Sequence, residues 1–279
     1  MPEGDTILRA ARTLHRALAG GTVVRFESVL PALTRVHEDT SVTGRTIESV
    51  TARGKHLLIG FSGGLVLRTH MRMNGSWHVY RAGERWQRAR RDMRIVVATD
   101  AYEAVAFSVP VAEFLRERDL QRQEDLREMG PDLLSDDFDR AEALRRLREQ
   151  GNVTVGDALL NQRVVAGAGN VYRSEVLFLC GIHPRATVDV VTDAALEEAL
   201  STARRLMRAN VVDPQSSIVT YTGYRRTTRR ADPAERLWVY GRARKPCRKC
   251  GAPIRVVRIG PYARLTYYCP RCQPVAATY

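Results

Sequence analysis

The chain has 279 residues, 44% of them apolar, enough for one large core or two ordinary ones, which excludes an intrinsically disordered protein. Its 44 Lys and Arg against 31 Asp and Glu leave +13, and the surplus is local: residues 214–279 hold 14 basic and only 2 acidic residues. A basic module on a nearly neutral body points to a polyanion partner, because Lys and Arg on phosphates release condensed counterions.

The opening MPEGDT carries two acids and no apolar run, so it does not read as a secretory signal. No stretch of about 18 apolar residues exists to span a bilayer, so a cytoplasmic location and no membrane partner are expected. Residues 5–19 put Ile7, Leu8, Ala11, Leu14 and Leu18 on one helical face, with Asp5 as N-cap and Gly20-Gly21 as the stop. From Thr22 to about Phe114 the chain turns to short apolar, β-branched runs (TVVRFESVL, TIESVTA, KHLLIGF, LVLRTHM, SWHVY, RIVVAT, EAVAFSV) broken by glycines. Seven or eight strands of a sandwich or barrel are predicted. The charged stretch REMGPDLLSDDFD then separates a helical half, with Asp136 or Asp137 as a cap and helices over 138–150, 154–162, 171–180 and 193–211. Residues 216–236 read as a basic, mobile loop. The expected architecture is therefore α+β and multi-domain: a β-sandwich with an opening helix over 1–132, a helical domain over 133–240, and a cysteine-bearing ribbon over 241–279.

Cys247-x-x-Cys250 and Cys269-x-x-Cys272 stand 18 residues apart, with two β-like runs joined by Gly260-Pro261 between them. That is a hairpin with a paired-cysteine knuckle at each end. Four thiolates suit one tetrahedral zinc, and a closed four-ligand site leaves no position for substrate, so the zinc is structural. The fifth cysteine, Cys180, lies in an apolar run and reads as an inert core thiol. The ribbon would present Arg255, Arg258 and Arg264 to phosphates.

Pro2 follows Met1. With the methionine removed, its secondary amine can attack an aldehyde-like carbon and form an iminium, with Glu3 beside it as a general acid or base. Many chains begin Met-Pro, so this pair means little alone. In QRVVAGAGNVYRSEVLF, Ala166-Gly167 and Ala168-Gly169 form turns between a helix ending near Gln162 and one beginning near Val171. The amides of such a turn are oriented donors for a phosphate, and Asn170 adds a side-chain donor. Lys55, after Gly54 at the start of an apolar strand, is a further phosphate candidate.

In their order and spacing, the N-terminal PEG, the RGKHLL strand, the GPDLLSDDF linker, VAGAGNVYRSEVLF, and VYGR followed by a ribbon ending YYCPRCQ resemble the formamidopyrimidine-DNA glycosylase/endonuclease VIII family of base-excision repair enzymes. The resemblance spans essentially the whole chain. It implies a helix-two-turn-helix in the helical domain, one structural zinc, and damaged double-stranded DNA as partner, acted on by a monomer without a nucleotide cofactor. Residue by residue, Pro2 matches the nucleophile that attacks C1′, Glu3 the carboxylate that protonates the opening sugar ring, and Lys55 a phosphate-binding lysine. Asn170 matches the helix-two-turn-helix asparagine on the DNA backbone, and Arg264 the arginine of the zinc hairpin. HMRMNGSW matches the loop that fills the vacated stack, with Met73 as the wedge. Arg225 and Arg226, with Arg229 and Arg230, fall in a lesion-side loop.

The opening departs from the family's usual PEGPE or PELPE by having Asp5 and Thr6. PEGDT and the tryptophan of GSWHVY lean toward the endonuclease VIII branch, which implies oxidised pyrimidines and β,δ-elimination. The 216–236 loop leans the other way, toward 8-oxoguanine and formamidopyrimidines. A zinc-dependent DNA-binding protein without catalysis is the reading from a different class.

Overall fold

Two units make up the chain in this computed structural model, which describes residues 2–120, 122–211, 225–228, 230 and 232–275. The first is built on residues up to 127, the second on 128–210 and the chain from 225 onward.

In the first unit, α1 (Gly4–Leu18) leads into β1 (Arg25–Ser28), α2 (Pro31–Asp39), β2 (Ile47–Arg53), β3 (His56–Phe61), β4 (Leu65–His70), β5 (Ser76–Arg81), β6 (Met93–Ala98), β7 (Tyr102–Phe107) and β8 (Val111–Arg116). Two one-turn helices, α3 (Glu117–Leu120) and α4 (Glu124–Arg127), follow. The strands form two antiparallel four-stranded sheets, ordered β1-β6-β7-β5 and β2-β3-β4-β8. Period-2 alternation explains the main core: Trp77, Val79, Ile95, Val97, Ala104 and Ala106 of the first sheet cluster with Leu57, Ile59, Phe61 and Leu67 of the second. Helix α1 adds its apolar face, Ile7, Ala11, Leu14 and Leu18, to this core and packs on strands of both sheets. The alternate residues of the first sheet are apolar too. Tyr80, Val96, Val105 and Phe107 make a second, smaller core on its outer face, covered in part by Trp86.

Three expectations are corrected here. The α1 N-cap is Glu3, whose carbonyl accepts from Thr6 and Ile7 N–H at 2.9 and 3.1 Å, while Asp5 lies inside the first turn. The run TVVRFESVL gives only a four-residue strand, because Pro31 opens an unforeseen helix, α2, whose Leu33 enters the core. The cap in the linker is Asp139, not Asp136 or Asp137: its Oδ1 accepts from Glu142 N–H at 2.9 Å.

The second unit holds α5 (Arg140–Arg148), α6 (Val155–Ala158), α7 (Asn170–Leu179) and α8 (Asp193–Ala209), then a hairpin of β9 (Arg255–Ile259) and β10 (Arg264–Tyr268). Leu147, Val155, Tyr172, Val176, Leu196, Leu200 and Met207 build its helical core. A satellite core of Phe178, Val239, Ile254, Cys247 and Cys269 anchors the cysteine ribbon to α7. Among the described residues, no helix is long and apolar enough to cross a membrane.

Candidate functional site

Pro2 and Glu3 are buried at the N-terminus of α1, and Met1 lies outside the described residues. Glu3 lends the helix its carbonyl and makes no side-chain cap, so the carboxyl group is not committed to holding the helix. Thr6 hydroxyl donates to Asp5 Oδ1 at 3.4 Å, so the two residues that depart from the family pattern form a buried polar pair in the first turn of α1.

Lys55 sits in the two-residue turn joining β2 and β3, where Arg53 pairs with His56. Gly54 takes the first turn position at φ 57°, which its lack of a side chain permits. Next to it, His56 faces His70 across β3 and β4, the rings edge to face at 5.0 Å. Burial, with Arg68 next in weight, pulls His56 down to about 4; burial and then His56 do the same to His70. Both are therefore neutral near pH 7, and fixed positive charge on this face comes from Lys55, Arg68 and Arg72. Arg68 is itself tied to Glu113 (Nε to Oε1 2.7 Å) and to Asp125 (2.7 Å).

The Met73 loop leaves β4 by a sharp turn. Arg72 takes φ 49° and donates its N–H to His70 Nδ1 at 3.0 Å. A Cβ on Gly75 would lie 2.5 Å from the Met71 carbonyl oxygen, so only glycine closes the loop. The turn divides the two methionines: Met71 is 1% exposed and core, Met73 is 63% exposed. An unbranched apolar side chain on a backbone-fixed loop can enter a gap between stacked bases.

In the second unit the glycine-alanine turns are stapled by Gln162. Its Oε1 accepts from Gly167 N–H at 3.0 Å and its Nε2 donates to the Ala168 carbonyl at 3.1 Å. Asn170 is the first residue of α7, and its Nδ2 donates to the Leu265 carbonyl of β10 at 2.9 Å. Its Oδ1 is buried without a partner among the described residues. Arg173, 1% exposed, pairs with Asp157 at 3.0 Å and donates to the carbonyls of Arg264 and Leu265 at 3.3 Å each. Glu175, fully buried, accepts from the N–H groups of Trp238, Val239 and Tyr240 at 2.8 to 2.9 Å and from the Thr227 hydroxyl. Gln162, Arg173 and Glu175 escaped the sequence reading. For Arg173 and Glu175 the signal is in NVYRSEVLF, where two charged residues sit among apolar ones on a short helix that follows a buried turn, and so must be paired inside.

Arg264 is exposed at the start of β10, its guanidinium 5.5 Å from the Tyr262 ring centre. Arg225 is buried, with its guanidinium 5.4 Å from the Tyr172 ring, while Arg226 is exposed. The described part of the 216–236 segment folds back on itself. Thr227 and Thr228 N–H both bond the Arg236 carbonyl, and both threonines are buried. Residues 216–224, Arg229 and Ala231 lie outside the described residues.

The four ribbon cysteines converge. All four Sγ atoms lie within 4.8 Å of one another, with Cys247 to Cys272 at 3.8 Å and Cys250 to Cys269 at 3.4 Å, and none is in a disulfide. A tetrahedron with arms of about 2.3 Å has edges of about 3.8 Å, so the set fits one structural zinc. Gln273 locks the second knuckle by accepting from Cys269 N–H at 3.0 Å and donating to the Ile182 carbonyl at 2.8 Å. Cys180 is partly buried, and burial pushes its thiol up to about 11, which makes it inert at neutral pH.

Comparison with known proteins agrees with this arrangement. Family models for the formamidopyrimidine-DNA glycosylase N-terminal domain, its H2TH domain, and the zinc finger found in FPG and IleRS match residues 1–122, 129–222 and 244–275. A Streptomyces coelicolor protein named probable endonuclease 8 2 is 41% identical over 276 residues, covering 98% of this chain and 94% of the relative. A Mycolicibacterium smegmatis protein named DNA-(apurinic or apyrimidinic site) lyase Nei2 is 34% identical over 274 residues, covering 98% and 99%. A crystal structure of Lactococcus lactis formamidopyrimidine-DNA glycosylase, non-covalently bound to DNA containing an abasic site, shares the fold at a TM-score of 0.81 and 23% identity, covering 98% of this chain and all of that one. With these matches along its whole length and a zinc knuckle of fitting geometry, the chain belongs to the formamidopyrimidine-DNA glycosylase/endonuclease VIII family of DNA glycosylase/AP lyases, on its endonuclease VIII-like side.

Proposed function

We propose that this chain removes oxidised pyrimidines from double-stranded DNA and cuts the strand at the resulting site, with Pro2 as nucleophile. The observation that carries the reading is Pro2 and Glu3 side by side at the N-terminus of α1, in a chain whose relatives include proteins named endonuclease 8.

The chemistry follows from a free secondary amine, which exists only once Met1 is removed. The Pro2 nitrogen lone pair forms a bond to C1′ of a nucleotide turned out of the stack, and the glycosidic bond breaks with its electron pair leaving on the base. Glu3 delivers its proton to the ring oxygen as the sugar opens, and the amine proton is lost, leaving an iminium. The iminium acidifies C2′. Loss of that proton expels the 3′ phosphate, a second elimination expels the 5′ phosphate, and water releases the sugar fragment and restores Pro2. Lys55, Asn170 and Arg264 hold backbone phosphates, Met73 fills the gap left by the turned-out base, and Arg225 and Arg226 border the lesion. The zinc folds the hairpin that carries Arg264 and takes no part in the chemistry. The division of labour follows the proposed domains 1–132, 133–240 and 241–279.

Sodium borohydride reduces the iminium to a stable amine and so traps protein on DNA. The Met1-cleaved protein is expected to form this adduct on thymine glycol, dihydrouracil and abasic duplexes, and more slowly on 8-oxoguanine. Protein retaining Met1 should form none. Absence of any adduct with cleaved protein would leave the non-catalytic reading; faster trapping on 8-oxoguanine would overturn the pyrimidine preference.

A further inference from the structure

The basic surplus after residue 214 hides a second one. Residues 81–94, RAGERWQRARRDMR, contain six arginines and two acids within a half of the chain that is otherwise nearly neutral. Their position is defined by topology. Strands β5 and β6 both run antiparallel to β7, which lies between them, so they are parallel to each other and the connection over residues 82–92 must cross the outer face of β7.

This strap is clamped. Trp86 packs edge to face on Phe107 at 5.7 Å and donates its indole N–H to Glu103 at 2.7 Å. Gln87 N–H donates to the Tyr80 hydroxyl at 3.1 Å, and that hydroxyl also meets His78 Nδ1 at 3.0 Å. Arg88 lies over Phe107 and donates to the Ser76 hydroxyl at 3.1 Å. The acids of this region are occupied: Glu84 accepts from Arg81 N–H at 3.0 Å, Asp92 faces Arg88 at 3.7 Å, and Glu27 is shared by Arg25 and Arg90. Arg81, Arg85 and Arg91 are exposed and have no carboxylate partner among the described residues.

We infer that the strap is a further DNA-backbone surface, with Arg81, Arg85 and Arg91 as its phosphate contacts, in addition to Lys55, Asn170 and Arg264. A chain seeking only solubility has no need to fasten arginines to a rigid crossover. Fastening lowers the ordering cost of each contact, and guanidinium forks match phosphate oxygens. The partner is duplex DNA without regard to sequence or damage, since guanidinium contacts to phosphate carry no sequence information. Such a surface would hold the enzyme on undamaged DNA between lesions. The inference rests on the DNA-binding reading above but not on Pro2 chemistry.

The test is the salt dependence of binding to a long undamaged duplex. With Arg81→Ser, Arg85→Ser and Arg91→Ser combined, and Trp86 and Arg88 untouched, the plot of log affinity against log salt should become shallower by about 2 to 3, close to 0.9 per lost contact. Each single variant should account for about 1, which keeps the test intact if the triple variant folds poorly. Replacement of the three by lysine should restore most of the slope. Borohydride trapping on saturating lesion duplex should be unchanged. An unaltered slope would overturn the inference and leave the lesion chemistry standing, whereas no trapping by the wild type would refute that chemistry and leave the slope result standing.

Discussion

The two units treat their functional residues differently. In the first, Glu3 caps α1 with its carbonyl rather than its carboxylate, Lys55 occupies a turn, and Met73 is exposed while Met71 fills the core. In the second, Asn170, proposed to hold phosphate, belongs to a set of side chains that fasten the fold itself. Asn170 and Arg173 hold β10 by its carbonyls, and Glu175 holds the chain at Trp238–Tyr240 by its amides. Substitutions in the first unit should separate activity from stability, and substitutions in the second should not.

The largest expected break is at the metal. Cys247→Ser should release zinc and unfold the hairpin, because metal binding supplies much of the folding free energy of so small a ribbon. Zinc content by a colorimetric chelator and DNA affinity should fall together; full retention of both would sink the metal assignment. Glu175→Ala leaves three amides and a hydroxyl buried without an acceptor, a loss of about 3 to 5 kcal/mol. Its urea midpoint and its DNA affinity should drop in parallel, and a change in only one would contradict the fusion of scaffold and binding surface in this unit.

Glu3→Gln tests the other side. It keeps the shape and removes the acid, so excision should slow by about a hundredfold or more, a larger factor than its effect on stability. Equal losses in both would erase the contrast. The buried histidines give a pH signature. His56, His70 and His78 are each held near 4 in the folded protein, chiefly by burial, against 6.5 unfolded. As pH falls, the unfolded chain binds these protons first, so stability is whole above about 6.5 and is lost progressively down to about 4. Tm should fall by several degrees across that window, and a flat Tm profile would show the histidines are not buried neutral. Smallest in stability is Met73→Ala, within about 0.5 kcal/mol because the side chain is exposed, with weaker lesion binding as its effect.

Much of this was legible in the chain. The short apolar, β-branched runs RIVVAT and EAVAFSV give the strands, the paired CxxC spacing gives the zinc, and DTILRAARTLHRALA gives α1. What was hidden depends on partners distant in sequence. β6 is apolar on both faces because a crossover covers the outer one, which no local period reveals. Leu33 is core only because Pro31 starts a helix in a strand-rich region. Arg225 reads as loop charge until Tyr172 is found beneath it. Of the site, single residues at chain ends and turns could be named from sequence, but Arg173 and Glu175 act through carbonyls and amides about 60 to 90 positions away, and backbone groups carry no signature in sequence.

The way β10 is held has a consequence for how such a protein can change. Arg173 and Asn170 grip only main-chain oxygens at 264 and 265, and every residue type offers that oxygen. The outward side chains of the hairpin are therefore free to be exchanged without loosening its seat. The grip is indifferent to what it displays, so the family can try new side chains against DNA at these positions while the mount stays the same.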